Sequence, residues 1–563
     1  MALFLRAGHL LLGAAAVAAA MPSCYSAGAG TAPPPRSFYF PVGLAVSYDG
    51  KWLYAVNSDF DLQWNGGTLQ SYDLTTLRSD ASALIASNLA GGNAPPALQL
   101  LGPAPGASCV STPTPGTPLG QSCAPPVDSR AYFHDSAVIG AFAIDLQLSV
   151  STLDGTPSGR RRLFVPVRGD ATLTWADLND DGTIDCGARV DGRCNPSHHA
   201  GNNPNEAHNS RNVTLPGEPF GMAQTEDGTA IAITHQTDTK ASLFTSGVPA
   251  AGQPFATEVP PAMQFVLDGL PTGGNGIAAV PHDPDAVNTN CQSASGAIDS
   301  APCVRPAFLE TSHDAAQLVL LRYYSDDGST LHRPFLAPET FYPLTANAGG
   351  TDSRGIVIDP TPRLLCKRRV GGAGAAALRA CGRLPARVFF ASRTPPALVV
   401  GEIGESSVSG AAQGGAAPAS DGAPYDPDQL VITKNIPLPN GPSRVYLAPI
   451  VDASGNYAIR VFIVCFESSQ VVVYDPDAQA VENIINVGQG PFAMAFDPFQ
   501  LADILPPETP RDPSAARLAY RFAYVASFTQ SYVQMIDLNQ NASPSTFESV
   551  VFTLGQPTKP KGQ

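Results

Sequence analysis

The chain has 563 residues, of which 44% are apolar and only 14% charged, and its net charge is −15. No Lys/Arg run offsets that charge, so a phosphate backbone is repelled and nucleic acid is excluded as a partner. The 54 prolines and 52 glycines favour turns and long loops over helices.

The N-terminus stands apart from the rest. Met1 to His9 carries Arg6, and Leu10 to Ala20 is an apolar run of signal-peptide length, too short for a membrane helix. No later stretch approaches the ~20 apolar residues that span a bilayer. Met21-Pro22-Ser23-Cys24 follows and resembles a bacterial lipoprotein cleavage site. The resemblance implies that residues 1–24 direct export and that Cys24 becomes a lipidated first residue. Met21 and Pro22 depart from the Leu and small residue of that pattern. Residues 25–36, rich in Gly, Ala and Pro, read as a tether. The expected location is the periplasm, outer membrane or cell surface, with membrane contact through the lipid alone.

A recurring unit follows. It begins as Pro41-Val42-Gly43-Leu44-Ala45-Val46-Ser47-Tyr48-Asp49-Gly50, continues through Trp52–Asn57, and ends in Thr68–Asp73. It returns near the C-terminus as Gly490–Pro498, Phe522–Ser527 and Tyr532–Asp537. Short alternating strands with Asp-Gly and Asp-Pro turns, repeated along a chain, mark an all-β propeller. First strands start at Pro41, Ala137, Pro219, Gly273, Arg354, Pro442 and Pro491, so seven four-stranded blades are expected over 37–555, with a tail at 556–563. Several third strands end in Asp, as at Asp73, Asp177, Asp475 and Asp537. The unit resembles the surface-layer (YVTN-type) propeller repeat, a family likeness that implies a fold and no particular activity.

The ten cysteines support export. Four local pairs fall in loop-like segments: Cys109 with Cys123, Cys186 with Cys194, Cys291 with Cys303, and Cys366 with Cys381. Such pairs suit disulfides in an oxidising compartment. Cys465 sits in an apolar strand and reads as a buried thiol.

In a blade of strands a, b, c and d, the a–b and c–d loops share one end of the propeller, and the b–c and d–a loops share the other. Three of the Cys pairs fall on the first end. The second gathers polar residues where b strands finish: Asn57, Asp59, Arg168, Asp170, His235, Glu310, His313, Arg393, Glu467 and Ser527. Polar groups converging on loops over a rigid scaffold are the expected ligand-binding face.

Asp177-Leu178-Asn179-Asp180-Asp181-Gly182-Thr183-Ile184-Asp185 resembles the calcium loops of dockerin and thrombospondin type-3 repeats. The resemblance implies a structural calcium held by Asp177, Asn179, Asp181, Asp185 and the Thr183 carbonyl. Position 12 of the loop is Ala188 in place of a carboxylate, with Asp191 nearby. His198, His199, Glu206 and His208 form a second polar cluster, in a Gly/Asn/Pro-rich loop.

No Cys-x-x-Cys-His or Gly-x-Ser-x-Gly motif occurs. The leading expectation is a monomeric binding module that engages an envelope protein, peptide or glycan. The alternative is a metal-dependent hydrolase or lactonase with Glu310, His235, Asn57 and Glu467 at the channel mouth. Arg168 and Arg393 in that space would favour an anionic ligand instead.

Overall fold

A computed structural model describes residues 30–89, 98, 101, 126–149, 161–248, 259–283, 286, 304–344, 350–372, 374–404, 428–499 and 521–556. Residues 1–24 with Cys24, residues 25–29 of the tether and residues 557–563 lie outside the described residues.

Seven antiparallel sheets are arranged as propeller blades, each running from innermost to outermost strand in chain order. Blade 1 comprises Pro41–Val46, Trp52–Asn57, Gly67–Asp73 and Phe133–Ile139, and blade 2 Gln147–Leu148, Arg161–Val167, Thr172–Leu178 and His199–Ala200. Blade 3 comprises Pro219–Gln224, Ala230–His235, Ala241–Thr245 and Ala262–Leu267, and blade 4 Gly274–Val280, Ala307–Ser312, Gln317–Tyr324 and Phe335–Pro343. Blade 5 comprises Ser353–Asp359, Ala386–Arg393, Pro396–Gly404 and Gln429–Pro437, and blade 6 Pro442–Val451, Tyr457–Cys465, Gln470–Asp475 and Ala480–Asn486. Blade 7 comprises Pro491–Phe496, Phe522–Ser527, Tyr532–Asp537 and Val550–Leu554.

The expected start of blade 2 is corrected. Ala137–Ile139 pairs with Gly67–Leu69 and completes blade 1. The inner strand of blade 2 is only Gln147–Leu148, with one further bridge between Ala143 and Val167. Alternating small apolar residues suit an inner or an outer strand equally, and only the pairing partner separates the two.

Apolar burial is organised by seam. Seven clusters of buried side chains each join two neighbouring blades, from the blade 1–2 seam around Val56 and Val165 to the blade 7–1 seam around Tyr72 and Met535. The alternating strands therefore bury residues on both faces, as stacked blades require.

The last seam carries extra material that the repeat does not contain. Helix Leu74–Leu89 places Leu77, Ala81 and Leu84 in the core beside Tyr524 and Phe552. Its Arg78 donates from Nε to Asp497 at 2.9 Å, which also accepts from Tyr524 Oη at 2.8 Å. Pro126–Val127 adds a parallel strand to Val550–Leu554. An insertion in blade 1 thus clasps blade 7 and closes the ring.

The Asp-Gly turns form as their sequence requires. Ser47 Oγ donates to Asp49 at 2.6 Å and Thr225 Oγ1 to Asp227 at 2.6 Å, while Gly50 and Gly228 both take φ 70°. A side chain is disfavoured at that φ, so Gly closes both turns.

Two of the four expected cysteine pairs are disulfides: Cys186 is bonded to Cys194, and Cys366 to Cys381. Cys109 and Cys123 lie outside the described residues, and so do Cys291 and Cys303, so both pairings stay expectations of the sequence. Cys465 is a buried free thiol pushed up to about 12 by burial. The second disulfide joins helices Thr361–Val370 and Ala375–Gly382, with Gly371 at the end of the first and Gly374 at the start of the second. Replacing Cys366 and Cys381 together by Ser is expected to lower unfolding free energy by about 2–3 kcal/mol, measured by urea titration.

Candidate functional site: the arginine-lined end of the channel

The channel wall is built from the first three residues of the inner strands, which read Pro-x-Gly in blades 1 and 3 and vary around that pattern in blades 4 to 7. Six of the seven inner strands carry a register shift at this point. A bulge there turns the x residue toward the axis. The Gly positions let successive blades close up. A Cβ on Gly276 would stand 2.4 Å from the Arg354 carbonyl, and one on Gly355 would stand 2.6 Å from Arg444 Cα.

These strands enclose a cavity of about 270 Å³, and the x residues Phe220, Asn275, Arg354, Ser443 and Phe492 line it. Arg393, the last residue of a b strand, and Arg444 complete a set of three guanidiniums.

The three guanidiniums differ in their partners. Arg444 of blade 6 reaches across the channel to blade 2, pairing with Asp145 at 3.0 Å and donating to the Ile144 carbonyl at 2.8 Å. It also lies over the Phe492 ring at 4.9 Å. Arg354 pairs with Asp352. Arg393 donates to the Pro442 carbonyl at 3.2 Å, and Glu467 is 3.9 Å away with 59% of its side chain exposed. Burial and then the Arg354 charge push the Arg393 guanidinium below its ordinary pKa. Asn275 is 4% exposed, and its Nδ2 has no hydrogen-bond partner.

An aromatic arc borders the same end. Phe492 packs on Phe528 at 5.6 Å, and Phe528 on Phe60 at 5.4 Å. Phe60 continues to Phe142 at 5.8 Å and is itself 47% exposed.

The residues expected at the binding face divide. Arg393 lines the cavity and Glu467 stands beside it. Arg168 is absorbed by an ion pair with Glu218. Asn57 donates to Thr68 and Gln70 at 2.8 Å and accepts from Tyr39 N at 3.0 Å, which fixes the segment before blade 1. His235 is fully buried, with Nδ1 at 2.8 Å from the Gly217 carbonyl and Nε2 at 2.8 Å from Ser242 Oγ. Burial lowers it to about 4, so it is neutral and both nitrogens are occupied. Asp59 is buried, accepts from Trp64 N at 3.2 Å, and is raised by burial to about 7. Asp170 accepts from Thr172 Oγ1 at 2.8 Å. His313 is held by Asp314 at 2.8 Å and by the Gln236 carbonyl at 3.0 Å. Glu310 is 3% exposed, beside the backbone of Gly274, and burial raises it to about 8. Ser527 is fully buried.

The calcium-loop residues do not present the oxygen set that the resemblance implies. Both Asp177 oxygens face Arg162 inside blade 2, at 2.8 and 3.2 Å. Asp181 accepts from Thr183 N and Oγ1, Asn179 donates to Thr183 Oγ1, and Asp185 accepts from Gly187 N. A polar turn accounts for these bonds. In the neighbouring cluster, His198 stacks on Trp175 at 3.9 Å, Glu206 accepts from Gly201 N, and His208 lends its carbonyl to Gln264. His199 Nδ1 lies 3.9 Å from Asp170. Among the described residues no group of three or more His, Cys, Asp or Glu side chains is placed to hold a metal.

Sequence reasoning missed Arg354, Arg444, Asp145, Asn275 and Phe492. The signal was a deviation within the repeat: Arg444 stands where blades 1, 3, 4 and 5 have Gly, and Arg354 and Asn275 stand where blades 1, 3 and 7 have Val42, Phe220 and Phe492.

No protein-family model matches the chain, and no curated protein sequence matches it. Solved structures that are similar include a Kuenenia stuttgartiensis hydrazine synthase, at 10% identity over 91% of this chain and 99% of that one, with a TM-score of 0.39. A periplasmic gluconolactonase of Pseudomonas aeruginosa is 14% identical over 80% of this chain and 86% of that one, with a TM-score of 0.40. The β-propeller domain of Myceliophteria thermophila Cps50 is 10% identical over 90% of this chain and 98% of that one, with a TM-score of 0.37. The activities of these proteins do not transfer at such identities.

Proposed function

We propose that the chain is an exported, Cys24-anchored binding module of the cell envelope that holds an anionic partner at the b–c end of its channel. The observation that carries this reading is the convergence of Arg354, Arg393 and Asn275 on one cavity, with Arg393 left short of a buried counter-charge. A pocket lined by guanidinium donors favours an anion. The metal-hydrolase reading loses ground on geometry, because Asn57 and His235 spend their polar atoms on neighbouring residues and Glu310 is buried beside Gly274.

Replacing Arg354 and Arg393 together by Met is expected to abolish capture of the partner from envelope extract while leaving the fold intact by circular dichroism. Capture by wild type is also expected to fall as salt rises, since part of the attraction is screened. Equal capture by the variant and wild type rules this end of the channel out. A Cys24→Ser change is expected to move the protein from the membrane to the soluble envelope fraction.

A further inference from the structure

We infer that the cavity takes a small apolar monocarboxylate, free or as the C-terminal residue of a chain, with its carboxylate on Arg393 and Arg354 beside Asn275. This rests on the anion-binding reading above and adds the ligand class.

Charge sets the monoanion. Arg444 is matched by Asp145 and Arg354 by Asp352, whereas Arg393 meets Glu467 only at 3.9 Å and with 59% of the Glu467 side chain exposed, so Arg393 is the most weakly compensated of the three. A ligand with one negative charge can take the place of that loose contact. A second charge would face Asp352 and Glu467 at close range, a like-charge cost in a low-dielectric space. Shape sets the carboxylate. Two guanidiniums offer forked donors to a planar, two-oxygen acceptor.

The wall sets the apolar remainder. Leu44, Met222, Ile277, Ile356, Phe492 and Met494 supply apolar lining from several blades. The Arg444–Asp145 bar crosses the space and limits its depth. A volume of about 270 Å³ equals that of about nine waters and lies just under the range of drug-sized sites. It accepts a group the size of one amino acid and excludes an oligosaccharide.

Calorimetric titration of residues 25–563 tests the assignment with four probes: phenylacetate, phenylacetamide, inorganic phosphate, and a peptide ending in Phe with a free or amidated terminus. Phenylacetate is expected to bind at least about tenfold more tightly than phenylacetamide or phosphate, a difference of one charge-assisted contact. Arg393→Met and Asn275→Ala are expected to lose that preference. Tight binding of the free-terminus peptide, lost on amidation, identifies a chain end as the source. Binding of phenylacetate alone identifies a free acid. Phosphate binding as tightly as phenylacetate overturns the ligand class and leaves the anion site standing. No binding of any anion overturns both. The acid–amide comparison uses wild type only, so a variant that fails to fold does not remove the test.

Discussion

Replacing Arg162 by Met is expected to cost about 3–5 kcal/mol of stability, the penalty for stranding a buried charge. Arg162 is fully buried, and its Nε and Nη2 bond Asp177, which is 1% exposed. Its Nη1 donates to the carbonyls of Ser246 and Val259 at 3.0 and 2.7 Å. Those two belong to blade 3, so one guanidinium ties two blades together. The Trp175 ring lies 4.2 Å beneath it and adds a cation–π contact. Met fills the volume but leaves Asp177 and two carbonyls without these donors. The double variant Arg162→Met/Asp177→Leu is expected to recover most of the loss, because a fully apolar replacement strands no charge. Urea unfolding of wild type, the two single variants and the double variant measures the coupling. An Arg162→Met protein as stable as wild type would mean that Asp177 finds another partner.

Glu310→Gln is expected to stabilise the protein by roughly 3–5 kcal/mol at about pH 9 and to change little near pH 5. The sign follows from the burial of Glu310, which raises its carboxyl from 4.5 to about 8. The native state keeps a proton that the unfolded chain releases above 4.5. Stability therefore falls as pH rises from 4.5 to about 8, and is then flat for this group. Gln carries no such penalty. Asp59 and Glu548, each raised by burial to about 7, act in the same direction. Asp428 acts oppositely. Burial alone would raise it, but the His282 hydrogen bond and the Arg322 charge outweigh burial and hold it low, so its contribution is lost as the solution becomes strongly acidic. Melting temperature against pH is thus expected to peak in mild acid, and the Glu310→Gln curve should be flatter on the alkaline side. Parallel curves would show that Glu310 ionises inside the fold without cost.

The fold was legible because the repeat is local. Pro41–Gly50 carries its own turn chemistry, and the same pattern at Pro219–Gly228 and Pro491–Pro498 marks each new inner strand. Blade 2 was misplaced at its start because Ala137–Ile139 reveals its partner only through long-range pairing. The clasp of Leu74–Leu89 and Pro126–Val127 was invisible for a related reason: it belongs to no repeat.

The site was legible only in part. Arg393 was found because b strands end at the channel mouth. Asn57 and His235 stand at matching positions and were indistinguishable from ligands in sequence. Their partners, Gln70 and Ser242, lie on the next strand and absorb them. Arg444 was missed because its partner, Asp145, lies across the channel and about 300 residues earlier in the chain. The terminal Asp of the third strand was noted as a motif, yet its meaning required the structure. Arg162 and Arg460 answer Asp177 and Asp475 from the neighbouring strand, and Arg521 answers Asp537 from just before it.

The most direct measurement is a crystal structure of the protein soaked with 4-bromobenzoate, read from the anomalous signal of bromine. The account places the bromine inside the channel among Phe492, Met494 and Ile277, with the carboxylate against Arg393, Arg354 and Asn275. Bromine found only outside the channel, with ordered water bridging Arg393 and Asn275, would contradict it.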